Sequence, residues 1–183
     1  MRSRLKPKNL LANTGNEKHY TGGRVANSQP VNFASQPKVF IAYSHKDMRW
    51  KEYVQSHLQV AEKHLKLTIW DDRQIGTGNA WLNEIERALS SARVALLLVS
   101  HHSLTSNFIL NYEVASLMTR RAQGGLDIYP LIIRGCDWKA AEWLAGMNLR
   151  PEFGKPLAEF TVAKRDSAMA EICREIREII SAE

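Results

Sequence analysis

The fold of this chain is set by residues 38–47, which read Lys38-Val39-Phe40-Ile41-Ala42-Tyr43-Ser44-His45-Lys46-Asp47. Apolar, β-favouring residues run up to Tyr43, and a polar elbow then leads into a helix with one apolar stripe. A buried strand that passes directly into a helix is the opening half of a βαβ unit. Ser44 and Asp47 also have the Ser-x-x-Asp spacing of a capping box at a helix start. Because ligands of open α/β sheets bind at the carboxyl ends of strands, Tyr43 to Asp47 is predicted to border a site.

The rest of the chain repeats this alternation of strands and helices. Further strands are predicted at residues 67–70, 94–99 and 128–133, with a short last strand at 156–160. The strand at 94–99 is continuously apolar, as expected where helices cover both faces of a sheet. Pro130 indicates an edge strand or a bulge. The pattern predicts an α/β fold with a flavodoxin-like, doubly wound, parallel five-stranded sheet and helices on both faces.

Most of the net charge lies near the N-terminus. The chain has 183 residues and a net charge of +6, of which residues 1–36 carry +5. These residues include few large apolar side chains, so they are predicted to form a basic, disordered extension before one domain at 37–183. The remaining charge of +1 on that domain argues against a nucleic-acid partner.

Two further absences in the sequence bear on localisation. No apolar run reaches the length of a membrane span or of a signal-peptide core, so no membrane partner is expected. Cys136 and Cys173 are isolated in the sequence and match no metal-binding or redox-motif spacing. Reduced thiols and the lack of a targeting segment together favour a cytoplasmic protein.

Three classes of site that this fold can carry lack the residues they need. A phosphoacceptor receiver requires acidic residues after the first strand and an aspartate after the third, where this chain has Tyr43-Ser44 and Ser100. A phosphate-cradling loop or a Rossmann fingerprint requires glycines that the first elbow lacks. The histidines at 57, 64, 101 and 102 lack a third and fourth ligand at zinc spacing, so no metal is expected.

Four segments, in order, resemble the Toll/interleukin-1 receptor (TIR) domain family, specifically its bacterial branch. The resemblance covers about residues 37–182. Its segments are the strand-Tyr-Ser-x-x-Asp of residues 41–47, residues 70–78 (similar to the family's BB loop), residues 106–113, and residues 130–138 with 154–157.

This resemblance implies NAD+ chemistry, with NAD+ as the substrate and no cofactor. Many members cleave the nicotinamide–ribose bond with a glutamate of the third helix, and Glu113 occupies the matching position. Nicotinamide leaves as a neutral molecule and needs no acid, so one carboxylate that stabilises an oxocarbenium-like ribose is sufficient. The spacing of Glu113 alone favours a solvated helix residue, which is the commonest environment of glutamate.

The resemblance also predicts the residues that border the substrate, which are Tyr43, Ser44, Asp71, Arg73, Gly78, Phe108 and Ile109. Taken alone, Ser44 could be a helix cap, and Asp71 with Arg73 could be a solvated turn. Phe108 could serve packing. The family often has Trp near the position of Ile109, so aromatic stacking on nicotinamide stays open.

The function implied is an NAD+ glycohydrolase that releases nicotinamide and ADP-ribose or a cyclic ADP-ribose, in bacterial signalling or antiviral defence. Activation by self-association through TIR–TIR contacts is expected, with a separate sensor or effector protein as the trigger. The alternative is a non-catalytic module that signals through the same contacts. Base exchange at the same site is a third reading, because the sequence does not determine whether water, an internal nitrogen or an exogenous base attacks the ribose.

Overall fold

A computed structural model describes residues 39–65, 67–71, 81–106 and 114–182 of this chain. The predicted N-terminal extension at residues 1–36 lies outside this part, so its boundary and its disorder stay predictions.

Parallel strands form a sheet in the described part of the chain. They are β1 (Val39–Ala42), β2 (Ile69–Trp70), β3 (Val94–Val99) and β4 (Asp127–Ile132). Their order across the sheet is β2-β1-β3-β4, the flavodoxin-like order. Val39 pairs with both Ile69 and Val94, and Leu97 pairs with Pro130. The predicted parallel α/β fold is confirmed.

Helices connect and follow the strands. They are α1 (Met48–Leu65), α2 (Trp81–Ser91), α3 (His101–Leu104), α4 (Val114–Ala122), α5 (Glu142–Ala145) and α6 (Val162–Ser181). Single 3-10 turns occur at His45–Asp47, Trp138–Ala140, Glu152–Gly154 and Leu157–Glu159. Across the described ranges, no helix combines the length and the apolar character needed to span a membrane.

Both faces of the sheet are covered, because successive strand residues alternate between two apolar clusters. On β3, residues 95, 97 and 99 join a cluster with α2, α4 and α5. Residues 94, 96 and 98 join a second cluster with α1 and α6. Burial on both faces is the physical reason for the uninterrupted apolar run of β3, and it confirms the doubly wound architecture.

The predicted last strand at residues 156–160 is wrong. Leu157–Glu159 forms a 3-10 turn, and Pro156 before it has no N–H to donate to a ladder. Beside β4 there is instead an isolated bridge between Leu131 and Arg150, and the Arg150 N–H donates to the Pro130 carbonyl at 2.8 Å. The described sheet therefore has four strands, with β4 at its edge as Pro130 predicts.

The capping box predicted at Ser44 and Asp47 is also wrong. The Ser44 side chain makes no capping hydrogen bond to the turn that follows it. A capping box occurs at the start of α3 instead, where the Ser100 hydroxyl accepts from the backbone N–H groups of His102 and Ser103. The Ser103 hydroxyl accepts in return from the Ser100 N–H at 2.9 Å. The carboxylate of Asp47 accepts hydrogen bonds from Ser100 and Arg134 instead.

Candidate functional site

Polar side chains collect at the carboxyl edge of the sheet. Tyr43, Ser44 and Asp47 follow β1, Asp71 follows β2, Ser100 follows β3, and Arg134 lies shortly after β4. All of them except Arg134 are buried. The chain winds outward in both directions from β1 and β3, so this edge is the topological switch point at which open α/β sheets bind ligands.

Asp47, Ser100 and Arg134, here called the Asp47 cluster, connect the ends of three adjacent strands. The Ser100 hydroxyl donates to Oδ2 of Asp47 at 2.5 Å, and Nε of Arg134 donates to Oδ1 at 3.1 Å. The Asp47 side chain is fully buried. A buried carboxylate is expensive unless its charge is paired and its oxygens accept hydrogen bonds, and both conditions are met here.

The Asp47 cluster leaves part of a guanidinium accessible to a ligand. The Arg134 side chain is 44% exposed although its Nε is bound to buried Asp47. A guanidinium has five N–H donors in a rigid plane, so donors beyond Nε can serve an anion such as a phosphate. The arrangement therefore offers an oriented positive group at the carboxyl edge.

Lys51 and Asp71 form a second polar unit at this edge. Nζ of Lys51, on α1, lies 2.7 Å from Oδ2 of Asp71, and the two side chains are 0% and 3% exposed. Nζ also donates to Oε1 of Gln55 at 3.0 Å and lies 5.5 Å from the centroid of the Tyr43 ring. Asp71 is thus a buried ion-pair partner, and its alternative interpretation as part of a solvated turn is wrong.

Tyr43 lies deeper than a residue that faces an open cleft. It belongs to the apolar cluster of α1 and α6, and its hydroxyl donates to Sδ of Met48 at 3.7 Å. Ser44 is buried beside it. The two residues follow β1 at the predicted edge, and their contact with a substrate stays a prediction.

Cys136, two residues beyond Arg134, is not equipped to act as a nucleophile. Partial burial raises the pKa of its thiol, and the carboxylates of Asp137 and Asp47 raise this pKa further. A thiol with a raised pKa is protonated at neutral pH, whereas the thiolate is the reactive form. Cys136 is therefore a poor candidate for a nucleophile at this edge.

The remaining predicted site residues fall outside the described part of the chain. They are Arg73, Gly78, Phe108, Ile109 and Glu113. In the chain, Glu113 directly precedes Val114, the buried first residue of α4.

Sequence reasoning did not identify Lys51 as part of this edge, and it gave Ser100 and Arg134 no individual role. A signal was available for Lys51, which lies three residues before Val54 and seven before Leu58 on the apolar stripe of α1. A charged residue at such a position must find a buried partner. No comparable local signal exists for Arg134, since its partner Asp47 is 87 residues away in the chain.

Comparison with known proteins agrees with this architecture. The family model described as TIR domain matches residues 39–161. The uncharacterized protein y4lF of Sinorhizobium fredii is 29% identical over 142 residues, which cover 78% of this chain and 43% of that protein. This chain therefore spans less than half the length of that curated relative.

Solved structures share the fold at low sequence identity. The TIR domain of the Toll-related receptor TRR-2 from Hydra magnipapillata has a TM-score of 0.53 and 17% identity, covering 77% of this chain and 98% of that chain. The heterodimer of the RPS4 and RRS1 TIR domains gives a TM-score of 0.51 and 15% identity, over 77% and 96% of the respective chains. The family model matches well over half of the length of this chain, and the chain therefore belongs to the TIR domain family.

Proposed function

We propose that this TIR domain is an NAD+ glycohydrolase with Glu113 as its catalytic residue. The observation that carries the proposal is the Asp47 cluster, in which a buried carboxylate orients a half-exposed arginine at the ligand-binding edge. Family membership supports the reaction. The resemblance of residues 106–113 to the family's third segment implies that Glu113 is the carboxylate that the family's enzymes use.

The reaction needs little from the protein beyond charge and orientation. Cleavage of the bond between C1 of the ribose and the pyridinium nitrogen returns the bonding electrons to nicotinamide, which leaves neutral. The ribose then carries positive charge, which an ionised Glu113 stabilises. Water adds to C1 and releases a proton to solvent, giving ADP-ribose; attack by a nitrogen of the adenine gives a cyclic product instead.

Arg134 has a place in this proposal as the group that binds the pyrophosphate of NAD+. The pyrophosphate is anionic, and guanidinium planes match phosphate oxygens in charge and geometry. The bond from Arg134 to Asp47 holds the guanidinium in one orientation. Fewer rotamers are then lost when a phosphate binds.

Self-association is the proposed means of activation. TIR domains of RPS4 and RRS1 form a heterodimer, which shows that a domain of this fold supports such contacts. In our proposal the loop at residues 71–79 takes part in the contact, and a separate sensor or effector protein triggers it. Cytoplasmic signalling or antiviral defence is the proposed setting.

The experiment is incubation of the purified full chain with NAD+ and separation of products by chromatography, with and without a crowding agent. Wild type should release nicotinamide with ADP-ribose or cyclic ADP-ribose. Glu113→Gln should lower the rate by about 10²–10³-fold, the range for loss of one transition-state electrostatic contact. Glu86→Gln removes the same charge from an exposed position on α2 and serves as the matched control.

Two results would contradict the proposal in different ways. Equal turnover by wild type and Glu113→Gln would show that the reaction uses another residue. Absence of turnover in wild type under every condition would favour the non-catalytic interaction module. Base exchange is distinguished by adding a free pyridine base and testing whether it is incorporated.

A further inference from the structure

The single hydroxyl of Ser100 is both a helix cap and a donor to Asp47. Its oxygen accepts from the backbone N–H groups of His102 and Ser103 at 3.0 and 3.1 Å, and its proton is donated to Oδ2 of Asp47 at 2.5 Å. A hydroxyl has two lone pairs and one proton, so its whole hydrogen-bonding capacity is used. Ser100 is also fully buried. The start of α3 therefore fixes the direction from which the proton reaches Asp47.

Arg134 binds the other oxygen of the same carboxylate. Its Nε donates to Oδ1 of Asp47 at 3.1 Å. The carboxylate can rotate about its last bond only by losing one of its two donors. Because Ser100 holds Oδ2 in place, Oδ1 has one position, and the guanidinium that binds it has one preferred orientation. Ser100 thus acts on Arg134 through Asp47, without touching it.

The charge around the Asp47 cluster is nearly balanced. Asp47 and Arg134 cancel each other, and the second polar unit at this edge is an ion pair with no net charge. The other charged residues within three chain positions of the cluster are Lys46, Arg49 and Asp137, two positive and one negative, and all are exposed. Exposed charges are screened by water and salt. Long-range attraction of an anion is therefore weak here, and recognition depends on short, correctly directed hydrogen bonds from the guanidinium.

We propose that Ser100 and Asp47 are positioning residues that act through Arg134 and make the site specific for substrates that contain a diphosphate. The inference rests on the proposed function and deepens it, because it names the part of NAD+ that decides specificity. Nicotinamide riboside contains the same bond between ribose and pyridinium but has no diphosphate. NAD+ should therefore be preferred to nicotinamide riboside, and this preference should decrease when Ser100, Asp47 or Arg134 is changed.

Binding of inorganic pyrophosphate to the full chain, measured by isothermal titration calorimetry without NAD+, tests the inference separately from catalysis. Arg134→Gln should lower the affinity about tenfold to a hundredfold, the range for loss of a hydrogen bond between charged groups. Ser100→Ala should lower it about threefold to tenfold, because the guanidinium is then held less well. Ser100→Thr keeps the hydroxyl and should restore the affinity.

The NMR signal of the Arg134 Nε–H group reports the positioning directly. In wild type this group donates to a buried carboxylate, so its signal should exchange slowly with water. Ser100→Ala should shift the signal and speed its exchange, and Ser100→Thr should reverse both changes. Arg134→Gln assigns the signal by removing it.

Ser103→Ala is the matched control for Ser100→Ala. Ser103 is 1% exposed, and its hydroxyl belongs to the same capping box, accepting from the Ser100 N–H at 2.9 Å and donating to the Ser100 carbonyl at 3.0 Å. The Ser100 hydroxyl, and not that of Ser103, donates to Asp47. Ser103→Ala should therefore destabilise the start of α3 while leaving the pyrophosphate affinity unchanged. Arg121→Gln, at an exposed position on α4, controls for the loss of one positive charge.

Kinetics with two substrates separate positioning from a merely structural effect. Ser100→Ala should raise KM for NAD+ and change kcat little, since the lost interaction is made in the ground state as well as in the transition state. The rate with nicotinamide riboside should be the same in Ser100→Ala and in wild type. Ser103→Ala should behave like wild type with both substrates.

Failure of wild type to bind pyrophosphate, or equal affinities of wild type and Ser100→Ala, would overturn the inference. Equal losses of affinity in Ser100→Ala and Ser103→Ala would also overturn it, by showing that Ser100 only supports the fold. Equal loss of activity toward NAD+ and nicotinamide riboside would refute the specificity and leave the enzyme standing. Pyrophosphate binding that depends on Ser100 and Arg134, in a protein without NAD+ turnover, would keep the positioning of Arg134 and refute the enzyme.

Discussion

Nζ of Lys51 lies 2.7 Å from Oδ2 of Asp71, and neither side chain is accessible to solvent to any useful extent. The pair joins the first turn of α1 to the residue directly after β2. It therefore ties the start of the loop at residues 71–79 to the body of the domain. In our proposal this loop borders the substrate and mediates self-association.

Breaking this pair should destabilise the domain. Lys51→Met leaves the carboxylate of Asp71 buried without the ammonium that compensates it, at an expected cost of about 3–5 kcal/mol. Replacing both partners, with Lys51→Met and Asp71→Leu, should recover most of the loss because no buried charge remains. Urea denaturation measures the wild type, Lys51→Met, Asp71→Leu and the double variant, with exposed Lys63→Met on the same helix as control. Additive effects of the two single substitutions would contradict the coupling.

Ser100→Ala should also lower the free energy of unfolding of the domain, because the substitution removes two interactions made by one hydroxyl. This hydroxyl donates to Asp47 and caps α3. Loss of a cap alone costs about 1 kcal/mol, and a weakened buried carboxylate adds about 1–3 kcal/mol. The exposed Ser90, whose hydroxyl donates to the Arg87 carbonyl, is the control, and its substitution by Ala should change little. Equal melting temperatures for the two variants would contradict this reading of Ser100.

Ionisation of the Cys173 thiol should lower the free energy of unfolding of the domain in alkaline solution. Burial raises the pKa of its thiol to about 11 in the folded chain. An unfolded cysteine has a pKa of about 8.5, so the unfolded state loses its proton first as the pH rises. The contribution of Cys173 is therefore fully present below about pH 8.5 and is lost between that pH and about 11.

Alkylation by iodoacetamide, followed residue by residue with mass spectrometry, measures this pKa. In the native chain the rate at Cys173 should keep rising beyond pH 10, whereas in urea it should level off near 9. A native rate that levels off near pH 8.5 would show that the thiol is not shielded. Cys173→Ser should remove its part of the alkaline loss of stability.

Activity per molecule should rise with enzyme concentration. If a neighbouring domain completes the substrate site, only assembled molecules are active. Dilution then lowers the fraction of molecules that are assembled, and the activity per molecule falls with it. Arg73→Glu and Gly78→Pro should depress activity without unfolding the domain, as circular dichroism can verify. Specific activity that stays constant from nanomolar to high micromolar enzyme, in a sample that light scattering shows to be monomeric, would refute this activation.

Removal of residues 1–34 should change the melting temperature by no more than a few degrees. These residues have little apolar surface to contribute to a core, and their charge is largely basic. Comparison of the full chain with a chain that starts at Ser35, by thermal denaturation, is the measurement. A large drop would show that the extension packs on the domain.

Local patterns in the sequence were sufficient for the first four strands and for the parallel, doubly wound sheet. The apolar runs of β1 and β3 record burial on both faces, which is a local requirement of a doubly wound sheet. The edge position of β4 follows from Pro130 for a similarly local reason, because proline has no N–H for a ladder.

Local patterns failed where two readings were both chemically reasonable. Residues 156–160 suit a strand as well as a turn, and in the structure Arg150 bridges β4 while Leu157–Glu159 forms a turn. The spacing of Ser44 and Asp47 suits a capping box, yet Asp47 binds Ser100 and Arg134 across the sheet edge.

The candidate site divides in the same way. Its location at the carboxyl ends of the strands follows from chain order, because parallel strands all end at one edge. The pairing of Lys51 with Asp71 and of Arg134 with Asp47 does not follow from chain order. These ion pairs depend on which side chains the folded structure brings close together. The partners are 20 and 87 residues apart in the chain, and only the packed sheet and helices bring them into contact.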